Sequence, residues 1–266
     1  MVRFSVASMN ILADPYIASG DYSTCDQRCL WPGWRWPAIA AHLLALDADV
    51  IAIQEATAQS MTVIRGPLEH AGYEVIFVPK SGGRPDGCGL AVRQSRLRLE
   101  GLRAHYYRDG LPGQDRSGCL AMFAEISAPG LPRLVVATTH LRWSPHEPPH
   151  EQRIGYRQMA ELLEVWSQWF TTATPGIICG DLNAKADTPI VQMPLSRDWR
   201  DTYASRPGDH TCRTHAVPKR IDFLLHTPHL LAEPTPLPAV ESNTPLPSPS
   251  QPSDHLAVRG VFSLIS

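Results

Sequence analysis

The heptapeptide Ile177-Ile178-Cys179-Gly180-Asp181-Leu182-Asn183 decides how this chain is read. An apolar run ends in a glycine and then presents a carboxylate and a carboxamide two positions apart. Residues i and i+2 of an extended chain point the same way, so Asp181 and Asn183 are expected to face one site while Leu182 packs behind them. The pattern predicts a buried strand whose end delivers a polar pair to a cleft.

Outward from this stretch, other apolar runs end in the same manner. Residues 4–10 form a short run that closes on Asn10, and residues 50–53 form one followed by Gln54-Glu55. Residues 134–139 lead into His140, residues 221–225 contain Asp222, and residues 256–262 are preceded by Ser253-Asp254-His255. Further strands are expected at 74–78, 87–93 and 121–126. Pro37 to Leu46 has a proline at a helix start and apolar residues at helical spacing, and residues 153–170 read as an amphipathic helix. The Pro- and Ser-rich stretch 227–252 reads as one long irregular loop. Strands in hairpin-like succession with occasional long helices suit two packed sheets with helices outside better than a doubly wound parallel sheet.

The chain has 266 residues, 43% hydrophobic and 19% charged, with no composition break, so a single domain over 1–266 is expected. A net charge of −2 supplies no global basic field for wrapping duplex nucleic acid. Six cysteines form no C-x-x-C pair and read as buried thiols. The opening MVRFSVASMNIL has no signal-peptide core, and no apolar run is long enough to span a bilayer, so a cytoplasmic protein without a membrane or an obligate protein partner is expected.

Collected together, Asn10, Glu55, His140, Asp181, Asn183, Asp222, Asp254 and His255 share one chemistry. Carboxylates and amide oxygens are hard ligands that suit Mg²⁺, or Mn²⁺ in its place, whereas zinc would call for more His or Cys. Two histidines beside such a cation can hold a phosphate or move a proton, with a carboxylate on the far ring nitrogen setting the tautomer.

The segments SMN, IQEA, DGCGLAVR, TTHLRW, CGDLNAKADTPI, RIDFLL and PSDHLAV follow one another in the order of the signature segments of the endonuclease/exonuclease/phosphatase superfamily, which the chain resembles along nearly its whole length. Within it, the long aromatic-bearing lead into IQEA, the DGCGLAVR strand and THLRW are similar to the deadenylase-like branch of carbon-catabolite-repression deadenylases, nocturnin, 2′-phosphodiesterases and Angel proteins. The resemblance implies an α/β four-layer sandwich, two mixed β-sheets face to face with helices outside. It also implies roles. Glu55 would be the main Mg²⁺ ligand, with Asn10 supporting it or the phosphate and Asp254 near the metal. Asp181 would orient or deprotonate the attacking water, and Asn183 and His140 would hold phosphate oxygens. His255, oriented by Asp222, would contact the scissile phosphate or act as acid/base.

The expected activity is therefore Mg²⁺-dependent hydrolysis of a phosphoester at an RNA 3′ end or in a nucleotide, either exonucleolytic or on a 2′,3′-cyclic phosphate. An AP-endonuclease or DNase-type nuclease, a phosphoinositide or sphingomyelin phosphoesterase, and a non-catalytic nucleic-acid-binding module are the other readings. Arg116 and Arg142 are candidates for phosphate contacts, and Trp34 and Trp143 for stacking on bases.

Overall fold

The computed structural model describes residues 2–110, 115–145, 149–214 and 217–265. Along the chain run β1 (Arg3–Asn10), α1 (Asp14–Ile17), α2 (Pro32–Ala45), β2 (Val50–Thr57), α3 (Ala58–His70), β3 (Tyr73–Pro79), β4 (Asp86–Arg93), β5 (Arg98–Tyr106), β6 (Leu120–Ala128) and β7 (Leu131–His140). Then follow α4 (Ile154–Trp169), β8 (Gly176–Asp181), α5 (Pro189–Leu195), β9 (Arg200–Asp201), β10 (Cys212–Thr214), β11 (Val217–Lys219), β12 (Asp222–His226), β13 (Leu230–Pro234) and β14 (Val258–Leu264).

The strands form two six-stranded sheets, β13-β14-β1-β2-β4-β3 and β5-β6-β7-β8-β12-β9, and a small β10-β11 ribbon. Both sheets are mixed: β1 and β2 pair in parallel, as do β7 and β8, while their other neighbours are antiparallel. Residues such as Val6, Val50 and Leu90 from the first sheet meet Met122, Val136 and Ile177 from the second in one core. The intervening residues face outward to helices. Ala7, Met9 and Ile51 pack against Ile39 and Leu43 of α2 and Ile64 of α3. Phe123, Val135 and Ile178 pack against Met159, Leu162 and Trp166 of α4. Central strands buried on both faces read as continuous apolar runs, which is why they stand out in the sequence. The result is the expected α/β sandwich, helix–sheet–sheet–helix.

Several elements differ from the expectation. Helix α2 starts at Pro32, which takes the favourable first-turn position, and Pro37 lies inside the helix. The stretch 227–252 is not all loop: Leu230–Pro234 adds a strand to the edge at β14. Strand β5 escapes a search for apolar runs because it is an edge strand with mostly exposed or half-buried side chains. Helix α3 has a capping box in which Thr57 Oγ1 accepts from Ser60 N and Ser60 Oγ accepts from Thr57 N. All six cysteines are buried and unpaired. No helix among the described residues is long and apolar enough to cross a membrane.

Gly180 explains why the decisive heptapeptide contains a glycine. Its φ is 140°, and a Cβ added there would lie 1.9 Å from Thr139 O on the neighbouring strand. Only glycine lets β8 approach β7 so closely while its next residue turns toward the cleft. Gly180→Ala is expected to destabilise the fold by about 3 kcal/mol or more, read as a lowered urea midpoint. An unchanged midpoint would mean that the two strands separate without cost.

Candidate active site

Register brings the polar strand ends together. His140 on β7 and Asp222 on β12 both stand opposite Asp181 on β8, so one row across the second sheet holds three candidates. From the first sheet come Asn10 at the end of β1 and Glu55 on β2. Glu55 does not end its strand, as the apolar run had suggested. The strand continues to Thr57, and a bulge between Gln54 and Ala56 turns Glu55 out with φ 58°. Asn183 is likewise beyond the strand, at φ 50°, and its N–H donates to Asp181 Oδ1 at 2.8 Å. The pair therefore shares a site through an Asx turn rather than through extended alternation, while Leu182 is buried behind it as expected. Three non-glycine residues at positive φ in one cleft, Leu12 with Glu55 and Asn183, mark local strain of the kind that functional sites retain.

The carboxylates are held firmly. Glu55 Oε1 accepts from Asn10 Nδ2 at 2.9 Å and Oε2 from Ala13 N at 2.8 Å. Asn10 Nδ2 also donates to Asp181 Oδ2 at 3.1 Å, and Asn10 Oδ1 accepts from Leu12 N at 3.0 Å. Asn10 thus turns its amide nitrogen to both carboxylates and ties them, rather than offering an oxygen to a cation. Tyr22 Oη donates to Asp254 Oδ2 at 2.9 Å. His255 Nδ1 lies 2.8 Å from Asp222 Oδ2, and its Nε2 is 3.8 Å from Asp181 Oδ2. His140 Nε2 approaches Asp181 Oδ2 from the other side at 3.7 Å.

Such crowding of buried acids shifts their protonation. Burial, then the charge of Asp254, raises Glu55 above the usual carboxylate range. Burial pushes Asp181 up to about 7, with Asp222 adding to the effect and His255 opposing it. Burial opposes a charge on His255, yet Asp222, with Cys212 and Asp181 adding to it, holds the imidazolium well above the ordinary histidine value. A divalent cation fits this donor set, because closely spaced buried carboxylates are costly to ionise without one. Asp181, Asp222 and His255 also bring one ligand atom each within 4.8 Å of one another, and Asp222 Oδ1 is buried without a partner.

Two adjoining cavities open onto these groups. The larger, about 480 Å³, is lined by Glu55, Asp181, Asp254 and His255 with Tyr22, Lys185 and Lys219 among others. The smaller, about 180 Å³, is lined by Lys80, Arg84, Arg142 and His140, with no carboxylate among its described lining residues. Tyr16, Trp143 and Asn183 line both. Trp143, 60% exposed, and Arg142 therefore lie where the sequence had suggested. Trp34 on α2 and Arg116 line neither cavity. Trp34 is suggested by a loop that flanks proposed site residues and Arg116 by its charge, and neither residue type nor proximity in sequence determines which way such a side chain faces.

Three residues at or behind the site were missed. Lys80 Nζ donates to Asp86 Oδ2 at 2.6 Å and lies 3.3 Å from His140 Nδ1, and Tyr16 Oη donates to Asp86 Oδ1 at 2.8 Å. Arg35, fully buried, donates to Ile11 O, Leu12 O and Asp14, bracing the turn that presents the Ala13 N–H to Glu55. Asp86 opens the DGCGLAVR segment, the one signal that could have found it; Lys80 and Arg35 stand in ordinary surroundings in the sequence.

The Endonuclease/Exonuclease/phosphatase family model matches residues 29–255. Protein angel homolog 2 of Bos taurus is 29% identical over 195 residues, 71% of this chain and 36% of that protein. CCR4-NOT transcription complex subunit 6-like-A of Xenopus laevis is 24% identical over 237 residues, 72% of this chain and 43% of that protein. The chain thus spans well under half the length of these relatives. The crystal structure of ANGEL2, a 2′,3′-cyclic phosphatase, in complex with adenosine-2′,3′-vanadate is similar with a TM-score of 0.82 at 20% identity, over 98% of this chain and 96% of that one. The human nocturnin catalytic domain with bound sulfate is similar at a TM-score of 0.76 and 22% identity, over 99% and 94%. These similarities fall on the deadenylase-like branch that the motifs resemble. With the two-sheet sandwich and a family match over most of its length, the chain belongs to the endonuclease/exonuclease/phosphatase family.

Proposed function

We propose that this chain is a Mg²⁺-dependent phosphoester hydrolase acting on an RNA 3′ end or a nucleotide. The observation that carries the reading is the pairing of a carboxylate-rich cleft with a basic cavity across a shared wall of Tyr16, Trp143 and Asn183. Glu55 and Asp254 would hold the cation, which supplies charge neutralisation on the phosphate and activates water when bound. His140 and Asn183 then offer N–H groups to non-bridging oxygens, Asp181 orients the attacking water, and His255, kept cationic by Asp222, serves the leaving oxygen. A second phosphate along a nucleotide chain would meet Arg84 and Arg142, and Trp143 offers a face to a base. A choline headgroup would instead place a cation against those two, which disfavours the sphingomyelin reading.

Relatives named for 2′,3′-cyclic phosphatase activity and for the CCR4-NOT complex support an RNA end as the substrate. The test is a Mg²⁺ and Mn²⁺ panel, with Glu55→Ala as control. It contains 5′-labelled A-tailed RNA ending in 3′-hydroxyl, the same RNA ending in 2′,3′-cyclic phosphate, single-stranded and abasic duplex DNA, NADPH and a phosphoinositide. A one-nucleotide ladder identifies an exoribonuclease, and a mobility shift confined to the cyclic end identifies an end-healing phosphatase. Cleavage only at the abasic site, or only of the phosphoinositide, would replace the proposal. Trp143→Ala is expected to raise KM about tenfold with kcat less affected, the worth of one stacked base; an unchanged KM would remove Trp143 from the substrate site.

A further inference from the structure

His140 and His255 flank Asp181 from opposite sides, at 3.7 and 3.8 Å, yet their far ring nitrogens meet opposite charges. His255 Nδ1 faces the Asp222 carboxylate at 2.8 Å. His140 Nδ1 faces the Lys80 ammonium at 3.3 Å. That ammonium is anchored by Asp86 at 2.6 Å, with the two side chains 5% and 0% exposed. Burial works against its charge, but the Asp86 carboxylate keeps Lys80 protonated.

An ammonium only donates, so Nδ1 can meet it only as an acceptor. A neutral imidazole has one lone pair, and Asn183 Nδ2, 3.0 Å from Nε2, competes for it. The charged donor prevails, because a proton on Nδ1 would point at the ammonium. A proton on Nε2 instead points toward Glu55 Oε1 and Asp181 Oδ2, at 3.9 and 3.7 Å. Asn183 Nδ2 keeps its bond to Leu141 O at 2.9 Å. Its remaining N–H and the Nε2–H then lie side by side, an arrangement that calls for an anionic oxygen between them.

We propose that Lys80 is a positioning residue that acts through His140: it fixes the imidazole in the Nε2–H tautomer, so that His140 presents a hydrogen-bond donor to substrate oxygen. The inference rests on reading the cleft as a phosphoester site. Burial and the Lys80 charge, which hold His140 well below the ordinary histidine range, agree with it.

The experiment compares ¹⁵N-histidine spectra of metal-free wild type, K80R and K80M/D86L, with H140Q assigning the signal. The double variant removes the pair together, so that no buried carboxylate is stranded. Wild type and K80R are expected to show a pyridine-type Nδ1 and a pyrrole-type Nε2, and K80M/D86L a mixture that includes the Nδ1–H form. On the RNA substrate, K80M/D86L should lose about 10²-fold in kcat with a smaller change in KM, and K80R should recover most of it. An Nδ1–H tautomer in wild type overturns the proposal even if the double variant fails to fold. So does an unchanged tautomer in folded K80M/D86L, or a loss confined to KM, which would make Lys80 a direct substrate contact. The spectra need no substrate. The expected tautomers in a wild-type protein that hydrolyses no phosphoester would therefore overturn the proposed reaction and leave the wiring standing.

Discussion

Glu55→Gln is expected to lower hydrolysis by about 10³-fold while the metal-free protein stays folded. Glutamine matches the size of Glu55 and retains an oxygen for either Ala13 N or Asn10 Nδ2, so the local hydrogen bonds are largely kept. What disappears is the charge that a cation needs. The variant should therefore also lose the rise in melting temperature expected of the wild type with Mg²⁺, since a ligand stabilises only the state that binds it.

The pH dependence of that rise has a definite sign. Asp181 has its folded pKa raised from 3.8 to about 7, and Glu55 is raised as well, mainly by burial. A carboxylate with a raised folded pKa favours the folded state fully below its unfolded value, and the benefit is lost as pH rises through the folded one. The contribution of Asp181 to metal-free stability therefore falls between about pH 4 and about pH 7. A cation held by Glu55 competes with the proton that the raised pKa of Glu55 retains, so its stabilisation should grow as pH rises. Differential scanning fluorimetry with and without Mg²⁺ at about pH 5 and about pH 8 checks both claims. An equal Mg²⁺ shift at the two pH values, or one that survives in Glu55→Gln, would move the cation elsewhere.

Asp222→Asn is expected to cost about 10²–10⁴-fold in kcat. The carboxylate at 2.8 Å from His255 Nδ1 both orients the ring and stabilises its cation. The folded pKa of His255 is raised, so its protonated form persists through neutral pH and is lost only as pH rises through that elevated value. Its contribution to folding stability is likewise present below the ordinary histidine pKa and lost above the raised one. Without Asp222, the main opposition to burial is gone and the acid form is lost earlier. The alkaline limb of the pH–kcat profile should therefore move to lower pH. A limb that stays where it was would mean that His255 is not the acid.

The legible part of this site had a common cause. Asn10, Asp181 and Asp222 sit at the ends of strands packed on both faces, so each follows or opens an apolar run that shows at a glance. His140 and His255 could be listed for the same reason. Glu55 was found but misplaced: a bulge is a departure of one strand from the register of its neighbour, and the residues of the bulged strand alone do not encode it. Trp34 and Arg116 were plausible by residue type and line neither cavity, because direction out of a loop or helix is set by packing.

What the amino-acid order determined was which side chains are candidates for the chemistry and the sandwich that presents them, since hydrophobic period and strand-end punctuation are local properties. What only the tertiary structure decided was how they are wired. Lys80 meets His140 across 60 positions of chain, and Arg35 reaches the turn that presents Ala13 N–H to Glu55 from 23 and 24 positions away. An ordinary lysine becomes a tautomer lock, and an ordinary arginine a brace, only where folding buries the charge and supplies its partner. Burial and pairing are properties of neighbours in space, and their energies exist only after the sheets have met.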